Sequence, residues 1–168
     1  MQSVDEVEQY MGQYITRLGA GSRCRVVFRN DPVQALSWSA SGPKDNVVTV
    51  GLPLRMRSNW MAGAADHEIG THMVRFTNTC NQPWHGLPDF QKRTSFGIGP
   101  TFNPALTATE EGLAVMNALI NTKDKSLYYC ALHYYSIVKA HAMDFAELYD
   151  HLEPYITDPV RRWTQCVR

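Results

Sequence analysis

Apolar residues at Val4, Val7, Met11, Ile15 and Leu18 recur at helical spacing, and a Ser3-x-x-Glu6 capping box precedes them with Gly19 behind. This predicts an amphipathic opening helix over Ser3–Leu18. The pattern then shortens to three β-rich pieces near Cys24–Arg29, Gln34–Trp38 and Asn46–Val50, separated by Asn-Asp-Pro and Ser-Gly-Pro-Lys-Asp turn signals. They predict a small antiparallel sheet. Helical spacing returns from Asn59 through Met61, Ala65, Ile69, Met73 and Phe76, with small residues at Ala62, Gly63, Ala64 and Ala65 that signal close packing. Residues 78–108 hold four of the nine prolines and read as a long irregular connection. Further helices are expected over Thr109–Asn121, with Thr107-x-x-Glu110 as its capping box, and over Lys125–Ala142, Asp144–Leu152 and Pro159–Val167. The order predicts an α+β, mainly helical fold.

A chain of 168 residues, 44% hydrophobic, is long enough for one domain over 1–168 with a real core. Sixteen basic residues balance sixteen acidic ones, so the basic stripe of a nucleic-acid binder is missing. Cys24, Cys80, Cys130 and Cys166 stand far apart without a C-x-x-C pair, which argues for reduced, mostly buried thiols. With no charged-then-apolar leader and no apolar run near the roughly 20 residues of a spanning helix, the expectation is a soluble, cytoplasmic protein without membrane partners.

The densest chemistry lies in Asp66-His67-Glu68-Ile69-Gly70-Thr71-His72. Zinc-protease helices carry their histidines at i and i+4, on one face. Here they stand at i and i+5, and at about 100° per residue that step splays two side chains by about 140°, against roughly 40° for a four-residue step. A single π-type turn closed i to i+5 would return His72 to the side of His67. Gly70 places no side chain in the way of the altered backbone, and Thr71 can return its hydroxyl to a freed carbonyl. The competing reading is an ordinary Glu68–His72 pair on a solvated face, with His67 incidental.

A catalytic zinc keeps three protein ligands and a position for water, so two histidines call for one more donor. Adjacent Glu110 and Glu111, early in an apolar helix, could give a ligand from one and a hydrogen bond to a histidine from the other. Acidic residues in a first helical turn are also favoured by the helix dipole without any metal. His85 falls in the proline-rich connection, and His133, His141 and His151 stand singly, more suited to packing than to ligation.

Together, His-Glu-Ile-Gly-Thr-His at 67–72 and Glu-Glu-Gly-Leu-Ala-Val at 110–115 make the chain resemble the microtubule-associated tyrosine carboxypeptidases and bacterial relatives with a Gln-Glu-Gly-Leu-Ala motif. Val47–Leu54 and the segment from Arg161-Arg162-Trp163 to Val167-Arg168 also fit. The resemblance implies a gluzincin-like core and one zinc per chain, held by His67, His72 and Glu111, with Glu68 catalytic. Glu110, which is glutamine in the bacterial form, is left to hydrogen-bond a ligand. It further implies a carboxypeptidase that releases a C-terminal tyrosine from a protein tail such as tubulin's, and a link to the cytoskeleton. Family members are longer on both sides, so the chain reads as a shortened member, and its 78–108 connection departs from the bacterial pattern.

If zinc is present, Glu68 is expected to take a proton from the attacking water and pass it to the departing amine. The free carboxylate of the substrate calls for a two-pronged guanidinium. Arg93 is the favoured candidate, then Arg75, with Lys92 nearby. The alternatives are a zinc peptidase of other specificity, or a non-catalytic metal-stabilised or binding domain.

Overall fold

The computed structural model describes residues 3–30, 35–54, 58–99, 104–120 and 127–167, which fall into two compact units, Met1–Lys125 and Ser126–Arg168. The first opens with helix α1 (Val4–Arg17), where Ser3 Oγ accepts from the Glu6 N–H and Glu6 Oε2 accepts from the Ser3 N–H. Val7, Met11 and Ile15 bury the apolar stripe of this helix, whereas Val4 and Leu18 at its ends stay exposed.

Strands β1 (Cys24–Arg29), β2 (Leu36–Gly42) and β3 (Asp45–Gly51) form one sheet in the order β1-β3-β2. The expected antiparallel sheet is mixed: β3 pairs antiparallel with β2, through a hairpin bulged at Ala40/Gly42, but parallel with β1. Val47-Val48-Thr49-Val50 is the most continuously apolar, β-branched run, and it takes the central place, where both backbone edges are hydrogen-bonded. Inserting β3 between the other two leaves β1 running with it. The start of the second predicted strand, Gln34, lies outside the described residues.

Helix α2 (Ser58–His67) passes without a break into a π-helical segment, Glu68–Met73, and then into α3 (Val74–Cys80). Its Met61, Ala64, Ala65, Ile69 and Met73 meet Val7, Met11 and Ile15 of α1 and Leu36, Val48 and Val50 of the sheet in one core. Each fully buried large apolar side chain there contributes roughly 1.5–3 kcal/mol. Behind α2 runs α5 (Pro104–Ile120), and the two approach so closely that a Cβ on Gly63 would lie 2.6 Å from the Ala118 carbonyl oxygen.

The connection expected to be irregular contains a helix, α4 (Asp89–Phe96), closed by Gly97 in the left-handed region at φ 67°. It buries no residue, so there was no hydrophobic period to mark it. Helix α5 likewise starts earlier than Thr109, because Pro104 with its fixed φ suits the first helical position. Thr107 and Glu110 therefore sit inside the helix, and the expected capping box is not its start.

The second unit packs α6 (Tyr128–Ala140), α7 (Phe145–His151) and α8 (Pro159–Cys166) around Leu132, Leu148 and Leu152. Asp144 and Asp158 cap α7 and α8, and buried Arg162 lies over the Tyr149 ring at 4.4 Å and pairs with Glu153 at 3.4 Å. The predicted ends Asn121 and Lys125 lie outside the described residues. All four cysteines are free but half-buried rather than buried, and burial pushes the Cys24 thiol up to about 11. No described helix is long and apolar enough to cross a membrane.

In an open helix Gly→Ala stabilises by up to about 1 kcal/mol. Gly63→Ala is expected to have the opposite sign, losing about 1–3 kcal/mol as α2 is forced from α5. Thermal unfolding of the two proteins measures it, and an unchanged or raised midpoint would refute the close approach.

Candidate metal centre

The widened turn is held by groups from three directions. The Val74 N–H reaches back to the Ile69 carbonyl, the i to i−5 bond of π winding. Thr71 Oγ1 donates to the Asp66 carbonyl oxygen at 2.9 Å, and it accepts from Asn117 Nδ2 of α5 at 2.8 Å. The Tyr14 hydroxyl of α1 donates to Asp66 Oδ1. Tyr14 explains the glycine as well: a Cβ on residue 70 would lie 2.7 Å from that hydroxyl oxygen. Burial first, then the bond to Asp66, pushes the Tyr14 phenol well above its ordinary pKa, so it remains a donor.

This turn puts the His67 and His72 rings 5.1 Å apart, inclined by 68°. From α5, Glu111 Oε2 lies 3.6 Å from His67 Nε2 and Glu111 Oε1 lies 3.5 Å from His72 Nε2. One donor atom from each of the three residues falls within 4.8 Å of the others. Donors about 2.0–2.2 Å from a tetrahedral zinc stand roughly 3.3–3.6 Å from one another, and each histidine lies about that far from one of the two Glu111 oxygens. Two imidazoles with a carboxylate also suit zinc better than the all-oxygen preference of magnesium or calcium. Glu111 is half exposed, which leaves one side of the triangle open to solvent.

Glu110 points the other way. Its Oε1 lies 2.7 Å from His72 Nδ1 and 2.6 Å from Arg75 Nε. Burial alone would raise the Glu110 carboxyl, but the bonds from His72 and Arg75 prevail and hold it below the ordinary carboxylate range. An ionised carboxylate only accepts, so His72 carries its proton on Nδ1 and, when neutral, keeps the lone pair on Nε2, facing Glu111. A first-turn helix-dipole role for this acidic pair falls away, since α5 begins six residues before Glu110.

Glu68 stands on the sheet side. The Trp38 backbone N–H of edge strand β2 donates to its Oε2 at 3.1 Å. Burial pushes the Glu68 carboxyl upward, against the opposing pull of His67, the Trp38 N–H and His72. Trp38 is itself fixed, its indole N–H donating to Asn46 Oδ1 at 3.1 Å and its ring lying 5.4 Å from Phe76. Arg93 is exposed on α4 and stands outside this interlocked group, whereas Arg75 is within it. Sequence reasoning missed the contributions of Trp38, Tyr14 and Asn117. A backbone N–H leaves no mark in sequence, and Tyr14 sits on the same stripe as the core residues of α1.

No family model matches the chain. Over 112 residues, 67% of its length, the chain is 41% identical to microtubule-associated tyrosine carboxypeptidase 1 of Homo sapiens and 40% identical to the protein of that name from Mus musculus. The match spans 22% of the length of each relative. With this identity over two thirds of its residues, the chain belongs to the family of microtubule-associated tyrosine carboxypeptidases.

Proposed function

We propose that this chain carries the centre of a zinc metallo-carboxypeptidase that removes a C-terminal tyrosine from a protein tail such as that of tubulin. The observation that carries the reading is the triangle of His67 Nε2, His72 Nε2 and Glu111, with Glu111 edges of 3.6 and 3.5 Å. The names of these relatives support the carboxypeptidase activity, the tyrosine and the cytoskeletal location. A histidine helix packed under a sheet, with a glutamate donor from a later helix, supports a gluzincin-like core.

His67, His72 and Glu111 would hold the ion, which when bound supplies a Lewis acid that polarises a carbonyl and lowers the pKa of water from about 15.7 to about 7. Glu68 is the proposed general base. Its Oε2 is engaged by the Trp38 N–H, so Oε1 is left to take the proton of the attacking water and return it to the amine nitrogen of the departing residue. Burial, by raising the pKa of this carboxyl, suits a group that acts first as base and then as acid. Glu110 fixes the His72 ring from behind. Arg93 is the proposed partner of the substrate carboxylate, because Arg75 already spends its Nε on Glu110.

Glu68→Gln keeps the size and the Trp38 contact but cannot accept a proton. Turnover of peptides ending in tyrosine is expected to fall about 10²–10⁴-fold with zinc content unchanged. Hydrolysis at the original rate, followed by mass of the products, would remove Glu68 as base. Chelation should abolish cleavage and added zinc restore it, and His72→Ala should fail to retain one equivalent of zinc by elemental analysis. Zinc bound as in the original protein by His72→Ala would place the metal elsewhere. Arg93→Ala should raise KM for such peptides, with kcat little changed; an unaltered KM excludes that arginine.

A further inference from the structure

Arg75 and Glu110 together make a structure that the ligand set alone does not require. One oxygen, Glu110 Oε1, receives both the His72 Nδ1–H at 2.7 Å and the Arg75 Nε–H at 2.6 Å. The two nitrogens of an imidazole direct their bonds well apart, so the Glu110–Arg75 pair engages His72 at Nδ1 and leaves Nε2 to face Glu111. The Glu110 and His72 side chains are only 17% and 12% exposed, so little water competes for these bonds. The guanidinium is half exposed and presents its N–H in a fixed plane.

We infer that Arg75 is a positioning residue for the metal centre: through Glu110 it fixes the ring plane and tautomer of His72 so that Nε2 is presented to the ion. The inference rests on the zinc reading above. Without Arg75, Glu110 has one strong partner fewer and can rotate about its own χ angles, taking the His72 ring with it. A partner of a ligating histidine typically changes metal affinity about 10–100-fold when removed, and a residue acting one step further out belongs at the low end of that range. A substrate-binding arginine would behave differently. Its loss would raise KM and leave zinc affinity alone, because it would touch only the peptide.

The test uses the whole chain and zinc competed against a chromophoric chelator, with peptide kinetics in parallel. Arg75→Ala should weaken zinc about tenfold, leave KM for tyrosine-ending peptides unchanged at saturating zinc, and retain the original circular dichroism. Arg75→Lys, with the charge but not the planar N–H, should recover part of the affinity; it also carries the comparison if the alanine variant does not fold. In a Glu110→Gln background, Arg75→Ala should cost much less than in the original protein, since both act through one oxygen. Unchanged zinc affinity in Arg75→Ala, or a rise in KM alone, overturns the positioning role. The parent reading fails separately. If the original protein binds no stoichiometric zinc, or His72→Ala retains it, the metal centre is wrong; loss of zinc in His72→Ala with none of the Arg75 effects sinks only this inference.

Discussion

Between Asp66 and His72 the helix must take up one residue more than α winding admits if the two imidazoles are to share a side, and a π turn is a poor structure by itself. Its hydrogen bonds close a wider ring and its backbone is rarely tolerated beyond a single turn. Here the weakness is offset locally. Thr71 returns its hydroxyl to the Asp66 carbonyl, Asn117 reaches that hydroxyl from α5, and Tyr14 holds the Asp66 side chain from α1. Three separate elements thus enforce one local backbone state. Gly70 belongs to the same device, as the hydroxyl of Tyr14 occupies the space a Cβ would need. A widened turn supported on only one side would be free to relax to α winding, and that would carry His72 away from His67.

Once the histidines are paired, the remaining constraint is electrostatic. Glu110 and Glu111 are neighbours on α5, and two carboxylates so close to each other repel unless each has a cation or donors of its own. The fold separates them by burial. Glu110 is largely covered and satisfied by Arg75 and the His72 ring N–H, while Glu111 is half exposed and turned to the two Nε2 atoms. With the charge of Glu110 already balanced, Glu111 is the carboxylate free to meet a cation. The close approach at Gly63 and Ala118 brings α5 near enough for both contacts.

Much of this was legible in the sequence, for reasons that can be named. The i, i+5 histidine spacing admits one common-face solution, and glycine and threonine inside it are the residues that solution needs. The capping box at Ser3 is a short-range pattern, complete within four residues. What was not legible depends on contacts without a local signature. Strand order is set by which of three short apolar runs wins the central place, and alternation is identical in parallel and antiparallel pairs. Helix α4 has no buried face. Tyr14 has the spacing of a core residue, and only its distance from Gly70 reveals the polar task of its tip.

The hold on Glu68 is the point where sheet and helix join. A proposed base that must also release its proton needs a carboxyl whose pKa is not driven down, and an arginine or lysine in contact would do that by its full charge. The Trp38 N–H is a single neutral donor, able to orient one oxygen while exerting a smaller pull than burial exerts upward. It also does not titrate, so the orientation it gives does not vary with pH. Because the donor is backbone, its direction is fixed by the pairing of β2 with β3, and the Asn46 and Phe76 contacts of the indole hold that residue in register. A three-stranded sheet too small to be a core by itself thereby acquires a reason to sit beside the widened turn: it is the part of the fold that can aim a carboxylate without charging it.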